Sequence, residues 1–348
     1  MKITKIPGLG RFGIFIDDVD FTNITTEEWL EIGKLHLDNF VTIIRNTNLT
    51  PEKYEELISQ FGNTRMNAGI RIYKKYAKDP NTLMAEIEKG LHPNMDKEDR
   101  DFLMAGSKVR YTDKNGKETG ILTVTGKKDE NGNPLGLFSE GELLWHSNES
   151  GDLCFTPGVS LLASEGVVGS ATGFITTVDY YESVSNSFRS ELDDVVLIHK
   201  FTPGRINPGL NPDQDLIMYR NMCPEEARIP LVINSPSGYK GLHYSINTIA
   251  KVEGMSDIES AKFLNNISKE LFVEKYIYDH WYQTNNDLCL FDNSITLHRR
   301  LGGITNRVCY RIQHDYNKIQ KTPYIPYYQQ EFATDYIAKM KDMFTYFC

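Results

Sequence analysis

The chain has 348 residues, 40 % apolar and 24 % charged, with a formal net charge of −9. That is an ordinary soluble composition with ample material for a core, and its negative sign gives no global attraction for phosphate backbones, so nucleic acid is not an expected partner. No apolar run approaches the roughly 20 residues that span a bilayer, and the opening MKITKIPGLGRFGIF lacks the apolar stretch of a secretory leader, so the expectation is a cytoplasmic protein with no membrane partner.

Gly13 to Ile16 reads as a strand. Thr25 to Asn39 reads as a helix: Thr25 or Thr26 can cap it, Glu28 can close a capping box, and Trp29, Ile32, Leu35 and Leu37 recur at helical spacing. Phe40 to Ile44 is apolar and β-branched, the pattern of a buried strand. Thr50-Pro51 opens a second helix, with Tyr54, Leu57, Ile58 and Phe61 on one face and a stop at Phe61-Gly62.

Residues 64–140 are charged and less regular, broken by the turn signals Asp113-Lys114-Asn115-Gly116 and Asn131-Gly132-Asn133-Pro134. Asn81 to Lys89 predicts a short helix and Ile121 to Val124 a strand. The stretch is expected either to cover the core as a lid or to be a solvated surface insertion.

From Leu143 the chain turns mostly β. Val159 to Leu162, Val195 to Ile198 and Leu288 to Phe291 are short apolar runs separated by Gly, Pro, Asn and Asp, which suggests a barrel or sandwich. One helix, Asp257 to Glu274, interrupts them, and Gln329 to Phe347 predicts a last helix packed outside. The five cysteines, Cys154, Cys223, Cys289, Cys309 and Cys348, have no close spacing and read as reduced thiols in or near strands.

Of the eight histidines, two stand in words that suggest metal chemistry. His146 lies in Leu-Leu-Trp-His-Ser-Asn-Glu-Ser; on a strand it and Asn148 share a face, and Glu149 points away. His298 follows an apolar strand and is expected at a strand end, a rigid mount for a ligand. His243, in Gly-Leu-His-Tyr, is a weaker candidate that could line a pocket.

Trp145-His146-Ser147-Asn148, then Pro157 to Leu162, then Gly169 to Thr172 resembles the first metal segment of the taurine dioxygenase (TauD/TfdA-like) family. Trp281, Asn286 to Asn293 and His298-Arg299-Arg300 resemble its second, and Arg307-Val308-Cys309-Tyr310-Arg311 matches its paired arginines. Phe40 to Arg45, Leu49 to Pro51 and Phe61-Gly62 are similar to its opening strand and helix, so the resemblance covers nearly the whole chain except about 64–110. It implies a mainly β fold with flanking helices (α+β) on a double-stranded β-helix, or jelly-roll, core. It implies one oxygenase domain over 1–348, with the insertion or lid at about 64–140.

It further implies iron(II), 2-oxoglutarate and O2 as cofactors, with His146 and His298 as metal ligands and catalytic residues. Thr172 and Arg307 would hold the far carboxylate of 2-oxoglutarate, and Arg311 would bind cosubstrate or an anionic substrate unless it is an ordinary ion pair. The family's third ligand is a carboxylate; this chain has Asn148 there. Three consequences are open: the amide still ligates, it leaves a place for water or chloride as in related halogenases, or catalysis is lost. Glu149 could substitute only across a bulge.

Asp292-Asn293 reads as a turn steadying the second histidine, and Trp145 and Trp281 as core residues. The functional expectation is oxidation, chiefly hydroxylation, of a C–H bond in a small polar substrate. A halogenase-like variant and a catalytically inert binding protein on the same fold are the alternatives. A small-molecule substrate is the expected partner, with homo-oligomers possible. The segments 64–140 and 200–245, expected to build the substrate pocket, carry no motif.

Overall fold

The computed structural model describes residues 1–64, 76, 83, 86–97, 99–100, 103–104, 109–115, 118–132, 135–136, 138, 141–148, 150, 156–200, 227–302 and 306–320. Strands β1 (Lys2–Lys5) and β2 (Ile14–Asp17) pair antiparallel. Helix α1 (Thr26–Asn39) starts with the expected capping box: Thr25 Oγ1 accepts from the Glu28 N–H, and Glu28 Oε2 accepts from the Thr25 N–H. It ends where Phe40 takes φ +61°, outside helical geometry, and the chain enters β3 (Val41–Ile44), parallel to β2. Thr50 caps α2 (Pro51–Ile58), which stops three residues before Phe61. The Trp29 indole N–H donates to the Leu57 carbonyl at 2.7 Å and its ring stacks on Phe61, so the two helices are tied to each other.

In 64–140 the described elements are β4 (Arg110–Thr112) and β5 (Glu118–Thr125), antiparallel partners. Leu83 and residues 86–88 are helical, whereas Asn81 and Met84 lie outside the described residues. So does the helix expected over 329–347.

Next come β6 (Leu143–His146), β7 (Gly158–Glu165) and β8 (Ala171–Thr176). Two short helices absent from the sequence reading follow, α3 (Val178–Ser183) and α4 (Asn186–Asp193). They are under three turns each and mostly polar, so they carry little periodic signal. Then β9 (Val196–His199), β10 (Ala227–Pro230), β11 (Val232–Asn234), β12 (Lys240–Leu242) and β13 (Ile249–Val252) form two small sheets. Helix α5 (Asp257–Leu271), capped by Ser256, ends sooner than expected and passes through a 3-10 turn at Glu274–Tyr276. The last strands are β14 (Ile277–Trp281), β15 (Asp287–Asp292), β16 (Thr296–Leu301) and β17 (Val308–His314).

Two sheets dominate. The large one has the order β1-β2-β3-β15-β7-β17-β5-β4 and the small one β14-β8-β16-β6. From Leu143 the chain alternates between them: β6 small, β7 large, β8 small, and later β14 small, β15 large, β16 small, β17 large. This alternation makes the double-stranded β-helix, a mainly β fold with flanking helices. Along β15, Leu288 and Leu290 pack toward the α1–α2 side, whereas Cys289 and Phe291 pack inward with Phe174 of β8. Both faces are covered, which is why β15 reads as an unbroken apolar run. Among the described residues no helix is long and apolar enough to cross a membrane.

Candidate functional site

The inward faces of the two sheets converge on a cavity of about 60 Å³, room for several water molecules. The small sheet supplies His146, Thr172 and His298 to its wall; the large sheet supplies Leu161, Phe291, Cys309 and Arg311, with Arg307 just ahead of β17.

His298 and His146 are direct register partners on β16 and β6, and their ring centroids are 4.1 Å apart. His298 lies inside β16, not at a strand end as the sequence suggested; the strand runs on to Leu301. His146 Nδ1 lies 2.6 Å from the Leu144 carbonyl, which can only accept, so Nδ1 carries the proton and Nε2 keeps its lone pair. Burial pushes the His146 pKa down to about 4, and burial, His146 and Arg311 hold His298 well below its ordinary value. Both imidazoles are therefore neutral, the metal-binding form.

Asn148 also reaches the cavity wall. Strand pleating is not the cause, because β6 stops at His146. Asn293 sets the position. Its Oδ1 accepts from the Asn148 N–H at 2.8 Å, and its Nδ2 donates to the carbonyls of Asn148 and Thr156 at 2.9 Å. Asp292 makes the turn, its Oδ1 accepting from the Ser294 and Ile295 N–H groups, and burial raises its carboxyl to about 7. The side-chain Nδ2 of Asn148 is buried with no hydrogen-bond partner among the described residues. Glu149 lies outside the described residues. Among those described, no group of three or more His, Cys, Asp or Glu could hold a metal ion. A metal here would find two neutral imidazoles beside an amide. Such a set still suits iron(II), since imidazole is a good ligand for it, but it leaves the ion's charge uncompensated.

Among the described residues, the cavity lining contains Arg299, Arg300, Arg307 and Arg311 and no Asp or Glu. Arg299 is held by Asp279 and lies over the Trp145 ring. Burial and nearby Arg307 lower the Arg300 pKa to about 9; its Nε donates to the Gly141 carbonyl and its Nη1 to that of Phe138. The Phe138 ring lies 5.8 Å from the Arg311 guanidinium. Thr172 sits opposite Arg300 in register, and its hydroxyl is 2.9 Å from the Tyr282 hydroxyl. The arrangement can receive a compact, multiply charged anion next to a cation.

All six sequence candidates, His146, Asn148, Thr172, His298, Arg307 and Arg311, are thus brought together. Arg300 was readable as the residue two beyond His298 on one strand face; Phe138 and Tyr282 carried no signal. Trp145 is buried against Phe272, but Trp281 is 49 % exposed and not a core residue. His243 is buried, its Nδ1 donating to the Ser294 carbonyl, and does not line this cavity. Two histidines without a distinctive sequence context have carboxylate neighbours outside this cavity, His280 with Asp287 at 2.9 Å and His92 with Glu86 at 2.7 Å. Cys289 and Cys309 are buried free thiols; the other three cysteines lie outside the described residues.

The family described as taurine catabolism dioxygenase TauD, TfdA matches residues 3–313. No curated protein matches the chain. Among solved structures, a putative alpha-ketoglutarate-dependent taurine dioxygenase from Burkholderia xenovorans is similar at 16 % identity, covering 93 % of this chain and 90 % of that one, with a TM-score of 0.61. AAD-2 in complex with Mn(II) and N-oxalylglycine is similar at 17 % identity over 93 % and 100 % of the two chains, with a TM-score of 0.62. A putative alpha-ketoglutarate dependent 2,4-D dioxygenase from Burkholderia xenovorans follows at 15 % identity over 90 % and 97 %, with a TM-score of 0.57. At these identities the structures show a shared fold.

Proposed function

The chain belongs to the TauD, TfdA family of dioxygenases, enzymes that use iron(II), 2-oxoglutarate and O2, and on that premise we propose that His146 and His298 hold its iron and that it hydroxylates a small polar substrate. The reaction would convert a substrate C–H, 2-oxoglutarate and O2 into C–OH, succinate and CO2. The bound iron supplies the oxygen-activating chemistry; the chain's own residues bind, orient and exclude water.

The observation that carries this reading is the pairing of two neutral imidazoles across β6 and β16, facing arginines with no acid in the described lining. Arg307 pairs with the far carboxylate of 2-oxoglutarate, a planar fork against a planar acceptor, and Thr172 donates its hydroxyl to the same group. Arg311, inward-facing on β17, takes a further negative charge from cosubstrate or substrate. Phe138, Leu161 and Phe291 close the apolar side, and that dry wall strengthens each of these charge contacts. The test is succinate formation from 2-oxoglutarate under O2. His298→Ala should abolish it, and unchanged succinate output from that variant would remove His298 from the metal site.

A specific observation favours a second reading, in which an anion such as chloride takes the carboxylate's place. The buried Nδ2 of Asn148 is a donor without a described partner, at the wall of a cavity with no acid in its described lining. Chloride-dependent 2-oxoglutarate turnover would support it. A third reading, an inert binding protein, predicts 2-oxoglutarate binding with no succinate.

A further inference from the structure

Tyr282 follows directly after β14 and is 2 % exposed. Its backbone is fixed on both sides: its N–H donates to the Ser170 carbonyl at 3.0 Å, and its carbonyl accepts from the Gly169 N–H at 3.1 Å. Its ring meets the His280 ring edge-on at 4.8 Å, and His280 is itself held by Asp287. The phenol therefore has little freedom to turn away.

Among the described residues, the Tyr282 hydroxyl lies within hydrogen-bond reach of Thr172 Oγ1 at 2.9 Å and Cys289 Sγ at 3.7 Å. A thiol sulfur is a weak acceptor, so the threonine oxygen is the better destination for the phenol's single proton. Burial holds the Tyr282 pKa well above its ordinary value, so the proton stays on the phenol. If Thr172 instead donated to Tyr282, its hydroxyl would have no proton left for a ligand.

We infer that Tyr282 is a positioning residue: it donates to Thr172 Oγ1, and this leaves the Thr172 proton aimed into the cavity for the 2-oxoglutarate carboxylate. The inference rests on the reading that Thr172 holds that carboxylate. A hydroxyl that accepts one hydrogen bond becomes a stronger donor in the next, and its rotor is fixed before the ligand arrives.

The test is a double-mutant cycle on 2-oxoglutarate binding, read as Kd by anaerobic titration of the iron-loaded protein and as KM against kcat in turnover. Tyr282→Phe and Tyr282→Met both remove the hydroxyl while filling the core differently, so one can serve if the other does not fold. Either should weaken 2-oxoglutarate binding about 3- to 10-fold, the worth of one hydrogen bond, with kcat and iron affinity little changed. In a Thr172→Val background the same change should have no further effect. Thr172→Val weakening binding while both Tyr282 variants leave it intact would overturn the inference, as would an equal loss in the Thr172→Val background. Unchanged binding in Thr172→Val itself would sink the underlying reading instead.

Discussion

Asn293 grips both backbone polar groups of Asn148, accepting from its N–H at 2.8 Å and donating to its carbonyl at 2.9 Å. The two residues are 145 apart in sequence, and the contact fixes the backbone of Asn148 where its side chain lines the same cavity as His146. Asn293→Ala leaves those groups and the Thr156 carbonyl short of a buried partner. It should cost about 1–3 kcal/mol of stability and lower iron affinity about 10- to 100-fold. Urea unfolding and anaerobic iron titration of the same variant check the two effects.

Because that grip is on the backbone, it survives a change of side chain at 148. Asn148→Asp should place a carboxylate beside two neutral imidazoles and raise iron(II) affinity by about tenfold or more, a negatively charged oxygen binding a dication more strongly than a neutral amide does. Isothermal titration measures it. An affinity no higher than that of the parent chain would mean that the 148 side chain does not face the metal.

Arg307→Lys keeps the charge and loses the planar fork. The KM for 2-oxoglutarate should rise about tenfold, while the unfolding midpoint stays close to that of the parent chain. An unchanged KM would move the far-carboxylate contact to another of the arginines.

Acid should unfold this protein early. His36, His243 and His314 are buried with pKa values lowered to about 3, 4 and 4, chiefly by burial. His146, His199 and His298 are shifted the same way. A histidine whose folded pKa lies below its unfolded value of about 6.5 takes its proton in the unfolded state first. Its stabilisation is complete above that pH and is lost as pH falls toward 4, at up to about 1.4 kcal/mol per pH unit for each group. Asp292, raised to about 7, opposes this with a single proton over the same range. The urea midpoint should therefore drop steeply between pH 6.5 and 4, and His36→Gln should flatten the slope. A midpoint level across that range would contradict these protonation states.

What the sequence disclosed was set by how local each signal is. The Thr25–Glu28 capping box is complete within four residues and formed as read. The apolar run Leu288 to Phe291 marked a strand, β15, within one residue at each end, but that both its faces are covered follows only from the packing around it. His146 and His298 stood out only through the words around them; their register across β6 and β16 comes from pairing that no local pattern encodes. For the same reason His298 was placed at a strand end, Trp281 in the core, and Tyr282 and Phe138 nowhere. Strand pleating wrongly explained Asn148, whose place depends on Asn293 across the sheet.

The proposal that His146 and His298 hold iron(II) together with 2-oxoglutarate is tested most directly by anaerobic titration of the apoprotein with both. Iron(II) so held gives a visible metal-to-ligand charge-transfer band that saturates with 2-oxoglutarate and disappears in His298→Ala. No band at saturating iron(II) and 2-oxoglutarate, or an undiminished band in that variant, would contradict it.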